Sequence, residues 1–199
     1  LLKITIMDDK ELSPEQSLDL IQTMIRRARK RYTDNSFFFL LWGWITLTAS
    51  LAHYYLGTYT DFEHPYAGWS LTIVGGIVSA IYSSRLGKRS KVTNYTDKLY
   101  GWLWASLGAA MFIVIFNGEN INWQVVPFIM LLAGIGTLVS GAMMNFRLLQ
   151  IGSIPFWVLA FVAFKQPEQV QMLLMAIAVA IGYLVPGYVM RYNTKTNGV

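Results

Sequence analysis

Six apolar runs, each about as long as a bilayer is thick, constrain this chain more than any other feature. They cover residues 36–56, 66–84, 99–116, 123–145, 148–164 and 169–190. A helix rises about 1.5 Å per residue, so about twenty apolar residues cross an apolar layer of about 30 Å, and the third and fifth runs only just reach. Backbone in lipid must satisfy its own polar groups, which leaves helices or closed barrels, and runs of this length read as helices. Charged residues make up 14% of the chain, against about 25% in an average soluble domain. The expected fold is therefore an all-α integral membrane protein with six transmembrane helices. Pro127 falls in the first turn of its helix, where a missing N–H matters little. Pro155 and Pro186 lie further in and are expected to kink helices five and six.

Lysine and arginine give the orientation. All the basic residues except Lys165 fall in the segment 1–35, in the loops after helices two and four, or in the tail 191–199. The opposite loops, 57–65, 117–122 and 165–168, hold only that lysine. An even number of spans with this bias places both termini in the cytoplasm. The localisation that follows is a cell inner membrane, crossed several times. The basic balance is thus a topology signal, and no nucleic-acid partner is expected from it. A long polar segment precedes the first apolar run, which argues against a signal peptide. Met7-Asp8-Asp9-Lys10 reads as a natural start, with residues 1–6 as an upstream extension.

Within that polar segment, Ser13-Pro14-Glu15-Gln16 has the form of a helix start: a serine N-cap, proline at the first helical position and glutamine placed for a capping box. Leu18, Ile21, Met24, Ile25, Ala28 and Tyr32 follow at helical spacing. The pattern predicts an amphipathic basic helix over about 13–32, separate from the bundle 36–190. Such a helix either packs on the bilayer, its arginines meeting anionic headgroups, or docks a partner helix.

An internal repeat is also readable. Tyr32-Thr33-Asp34 and Tyr95-Thr96-Asp97 each precede an aromatic cluster, Trp42-Gly43-Trp44 and Gly101-Trp102-Leu103-Trp104, while Pro155-Phe156-Trp157 stands at a comparable depth in helix five. Three helical hairpins of about sixty residues would account for it. Small residues four apart, as at Gly75, Ser79 and Ser83, or Gly101, Ala105 and Ala109, allow close helix packing and leave a homo-oligomer open.

Much chemistry is missing. The chain has no cysteine, which removes thiolate catalysis and disulfides, and no Asp, Glu, Lys or Arg falls in the middle of a run. Intramembrane ionisable groups usually mark ion or proton pathways, so their absence weighs against a proton-coupled pump. Hydroxyls supply most of the remaining polarity, among them Thr72, Ser79, Ser106, Thr137 and Ser140. Ser140-Gly141 resembles the Ser-Gly of intramembrane serine proteases, but Leu138 stands where their motif has glycine, and no histidine follows as a base. The hairpin plan resembles mitochondrial carriers, yet their Pro-x-acidic motif is missing after the odd helices. No catalytic motif and no cofactor are expected.

Two ionisable groupings stand out. On the outer side His53, Asp61, Glu63 and His64 offer imidazoles and carboxylates to a divalent metal, or histidine protonation as a pH sensor, or simply a solvated loop. On the cytoplasmic side Arg26, Arg27, Arg31, Arg85, Arg89 and Arg147 are candidate contacts for an anion or for lipid headgroups, and Asp34 and Asp97 are expected to cap helices or pair with nearby cations.

The run Asp34-Asn35-Ser36-Phe37-Phe38-Phe39-Leu40-Leu41-Trp42-Gly43-Trp44 resembles the opening of a family of small, functionally uncharacterised bacterial inner-membrane proteins. The resemblance implies the membrane-bundle fold and carries no activity. The leading expectation is a non-enzymatic protein that binds or regulates a protein partner through its basic cytoplasmic face. The alternative is a transporter or channel for a small neutral or anionic solute, with a lipid-modifying enzyme third.

Overall fold

From Pro14 to Tyr59 the sequence holds no proline after its first residue and only two glycines, so nothing interrupts a helix. The computed structural model, which describes residues 13–89 and 95–196, has one continuous helix there, α1 (Pro14–Tyr59, 46 residues). Its length is about 70 Å. The amphipathic segment and the first apolar run, which the sequence pattern separates near residue 35, are thus two parts of one rod. The reason is local: Tyr32-Thr33-Asp34-Asn35 changes polarity without containing a helix breaker. Met7 and the extension before it lie outside the described residues, as does Lys91.

Thr60 closes α1 by donating to the Leu56 carbonyl at 2.6 Å. A 3-10 turn (Pro65–Ser70) leads into α2 (Leu71–Arg89), and α3 (Tyr95–Phe116) runs back the other way. Asn122 and Trp123 then take left-handed backbone (φ 51° and 59°) before α4 (Val125–Met143), which starts two residues later than its apolar run. The end of α4 is a Schellman turn: Asn145 is left-handed and the Phe146 N–H reaches the Gly141 carbonyl at 2.8 Å.

The two prolines act where expected. The fifth apolar run forms α5 (Arg147–Gly152) and α6 (Ile154–Ala163), interrupted at Ser153 because Pro155 has no N–H for the Ile151 carbonyl. The sixth forms α7 (Glu168–Val179) and α8 (Val185–Thr196), joined by a wider π turn at Ala180–Leu184 just ahead of Pro186. No strand occurs among the described residues. Five helical stretches are long and apolar enough to cross a membrane: Asn35–Tyr59, Pro65–Leu86, Lys98–Phe116, Val125–Met143 and Glu168–Asn193. The remaining apolar stretch, Arg147–Ala163, is shorter.

The centre is built from α1, α4, α5–α6 and α7–α8. Helix α1 packs on α7 and α8, α4 packs on α5 and α6, and α6 packs on α7. Phe156, Met130, Leu149, Val179 and Met190 are wholly buried between them, and Tyr183 lies edge-on to Phe39 with ring centroids 5.5 Å apart. Helices α2 and α3 are outriders on α1 and α4. Within their apolar stretches 6% of residues are buried, against 50% in α4, so their other faces are apolar and uncovered.

The first two hairpins share a clamp. The Trp42 indole donates to Ser79 Oγ on α2 at 3.1 Å, and the Trp104 indole donates to Ser140 Oγ on α4 at 3.1 Å. Each indole also lies beside a glycine one turn before its serine, Gly75 and Gly136. The third hairpin differs: Trp157 turns back to the Leu131 carbonyl of α4 at 3.3 Å.

Candidate functional site

At the end of the bundle where α1 finishes, His53 is buried and both its ring nitrogens are engaged. The Trp69 indole donates to Nδ1 at 3.1 Å, and Nε2 lies 3.3 Å from Glu168 Oε1. An indole N–H can only donate, so Nδ1 presents its lone pair and the proton sits on Nε2, facing the carboxylate. One imidazole therefore ties α1 to the turn before α2 and to the first turn of α7. The expected grouping with Asp61, Glu63 and His64 does not form. Those three are exposed in the connection beyond Tyr59, where His64 Nδ1 meets the Tyr66 hydroxyl at 2.9 Å. His53 points inward from the last turns of α1 instead. Among the described residues no three His, Asp, Glu or Cys side chains gather as a metal site.

The opposite end carries the arginines. Arg85, near the end of α2, and Arg147, the first residue of α5, are exposed on helices that pack on different neighbours. Arg26, Arg27 and Arg31 lie on the first half of α1 and Arg89 ends α2; their side chains fall outside the described residues, as do those of Asp34 and Asp97.

The structure assembles a groove here that the sequence pattern did not single out. It has a volume of about 450 Å³ and is lined by α1 through Ser36, Phe37, Leu40, Leu41, Trp44 and Ile45, by Tyr82 of α2 and by Arg191 of α8. Six of these positions fall one and four residues apart along α1, which puts them on one stripe. Phe37 stacks on Tyr82 with centroids 4.1 Å apart, and the Trp44 indole donates to the Tyr188 hydroxyl at 3.0 Å, holding the wall to α8. Arg191 had been legible only as a basic residue of the tail.

No family model matches the chain, and no curated protein or solved structure is similar to it. Function has to be read from the site itself.

Five of the hydroxyls that could line a solute path are committed elsewhere, whereas buried Ser50 Oγ has no hydrogen-bond partner among the described residues. Ser79 and Ser140 accept from the two tryptophans. Thr137 donates to the Ala133 carbonyl at 2.6 Å, Thr72 to Trp69 at 2.6 Å and Ser106 to Leu103 at 2.8 Å, each on its own helix turn. Buried Gln171 joins Gln124 at 3.0 Å and the Gln166 carbonyl at 2.9 Å, pinning α7 to the start of α4. Its Nε2 is thus engaged as the His53 nitrogens are, while its Oε1 is buried without a hydrogen-bond partner among the described residues.

Proposed function

We propose that this chain is a six-span bacterial inner-membrane protein, with both termini in the cytoplasm, that binds and regulates a protein partner through its basic cytoplasmic face. The continuity of α1 carries this reading. Residues 14–34 extend the spanning part of the helix by about 30 Å along the same rod. The helical spacing of Leu18, Ile21, Ile25, Ala28 and Tyr32 belongs to this projecting half, as do Arg26, Arg27 and Arg31. Leu18 is 60% exposed. A rigid apolar stripe in water is the form a partner helix recognises. The commitment of Ser79 and Ser140 to indoles, and of Thr72, Ser106 and Thr137 to backbone carbonyls within four residues, supports this over solute passage. Duplication of the Trp–Ser clamp supports a hairpin repeat behind the bundle.

The test is affinity purification from native membranes in mild detergent, with mass spectrometry of what is retained. The expected result is a stoichiometric protein partner that is lost when residues 1–34 are removed while the bundle stays monodisperse. Identical composition with and without that segment, or solute flux after reconstitution in liposomes, would overturn the reading.

A further inference from the structure

The groove at the arginine end has the dimensions and chemistry of a lipid site. Its stripe runs from Ser36 to Ile45, about 14 Å along α1. An apolar layer of about 30 Å gives each leaflet about 15 Å, so the groove is one acyl chain deep. Gly187 of α8 packs against Leu40, and Arg191 stands one turn further toward the basic end, beside Ser36. The guanidinium is therefore at the shallow mouth and Trp44 and Ile45 at the deep end. A guanidinium offers paired donors that fit a phosphate diester. Among the described residues Arg191 makes no ion pair, and none that lines the groove is a carboxylate that would receive a choline or ethanolamine ammonium. Arg85 lies one turn beyond Tyr82 on α2 and adds a second positive charge on that side.

We propose that the groove between α1, α2 and α8 holds one anionic phospholipid, its phosphate on Arg191 and one acyl chain along Leu40, Leu41, Trp44 and Ile45. This rests on the membrane-spanning reading given above. The lipid would brace the root of the projecting half of α1, because Phe37 and Trp44, which line the groove, are among the residues that tie this part of α1 to α2 and α8.

The experiment is native mass spectrometry of the full chain in detergent, titrated with phosphatidylglycerol or with phosphatidylcholine of identical chains. One phosphatidylglycerol adduct is expected, retained about tenfold more tightly than phosphatidylcholine. Arg191→Gln should remove that preference, while Arg147→Gln should leave it intact. Leu41→Trp should fill the groove and lose the adduct with Arg191 still present; unchanged melting behaviour would show that the bundle survives. Equal retention of the two lipids, or an unaltered preference in Arg191→Gln, overturns the site and leaves only annular lipid. Displacement of the adduct by inorganic phosphate at low millimolar concentration overturns it in favour of a soluble anion. A chain monodisperse without detergent sinks the spanning reading and the lipid site together.

Discussion

Trp42 and Trp104 use their indole N–H groups in the same way, each on a serine one turn beyond a glycine. In apolar surroundings an indole N–H without a partner is costly, but interhelical hydrogen bonds inside membranes average about 0.6 kcal/mol and reach about 1.7. Ser140 is wholly buried, so its bond belongs near the upper figure. Ser140→Ala should destabilise the bundle by about 1.5 kcal/mol. A double-mutant cycle with Trp104→Phe, read by reversible unfolding in detergent, should show a coupling of similar size. Additive losses would mean that the bond contributes nothing. His53 gives a second expectation. His53→Ala strips partners from the Trp69 indole and from Glu168 and should cost about 2 kcal/mol, while Glu168→Ala, at an exposed carboxylate, should cost under about 1 kcal/mol. Equal losses in the two unfolding curves would count against a buried histidine as the hub. The tryptophans and His53 were visible in the sequence as unusual residues, but their partners were not. Ser79 and Ser140 both end a Gly-x-x-Val-Ser pentad, a signal hidden among other small residues. Trp69 and Glu168 meet His53 only through tertiary packing.

At the scale of elements, hydropathy located the apolar helices and proline located the breaks. Pro155 and Pro186 each disturb the helix just upstream, because the missing donor belongs to a carbonyl four residues earlier. Hydropathy failed at the start of α1 for a plain reason: it reports where the surroundings of a helix change, not where the helix ends. Only a breaker would have marked an end, and none is present between Tyr32 and Asn35. The continuity has a measurable consequence. Because the chain has no cysteine, spin labels at Leu18→Cys and Tyr59→Cys report one distance, and both native side chains are exposed. A continuous rod places them about 60 Å apart, whereas a right-angle bend at residue 34 would bring them to about 45 Å. Pulsed dipolar spectroscopy in nanodiscs resolves that difference. The longer distance is expected, and the shorter would return the first half of α1 to the bilayer surface. Thr33→Pro should produce the shorter distance deliberately and, with it, loss of the partner.

For the molecule as a whole, the decisive asymmetry is between its two ends. Arg85, Arg147 and Arg191 share one end, while the other carries Asp61, Glu63, Glu119 and Glu168 with Lys165 as its lone cation. Lys165 extends its ammonium to 5.4 Å from the centre of the Phe161 ring, a placement compatible with a headgroup layer at that level. The proposed orientation, with the arginine end in the cytoplasm, follows the positive-inside rule. The proposed even count depends on Arg147–Ala163 crossing, although its 17 residues cover about 25 Å, short of a full apolar layer. Its neighbours allow it: α6 is packed on α4 and α7 rather than bare to lipid, so its ends need not reach both headgroup layers unaided. Three single cysteines read the topology without interference from native thiols. Labelling of intact cells with a membrane-impermeant maleimide should modify Asp61→Cys and Lys165→Cys, and should modify Asn193→Cys only after the membrane is opened. Protection of Lys165→Cys with labelling of Asn193→Cys in intact cells would make Arg147–Ala163 a re-entrant helix and leave five spans. Labelling of Asn193→Cys in intact cells, with Asp61→Cys protected, would invert the molecule and place the long arm of α1 outside. In that case its arginines would face neither a cytoplasmic partner nor the anionic leaflet.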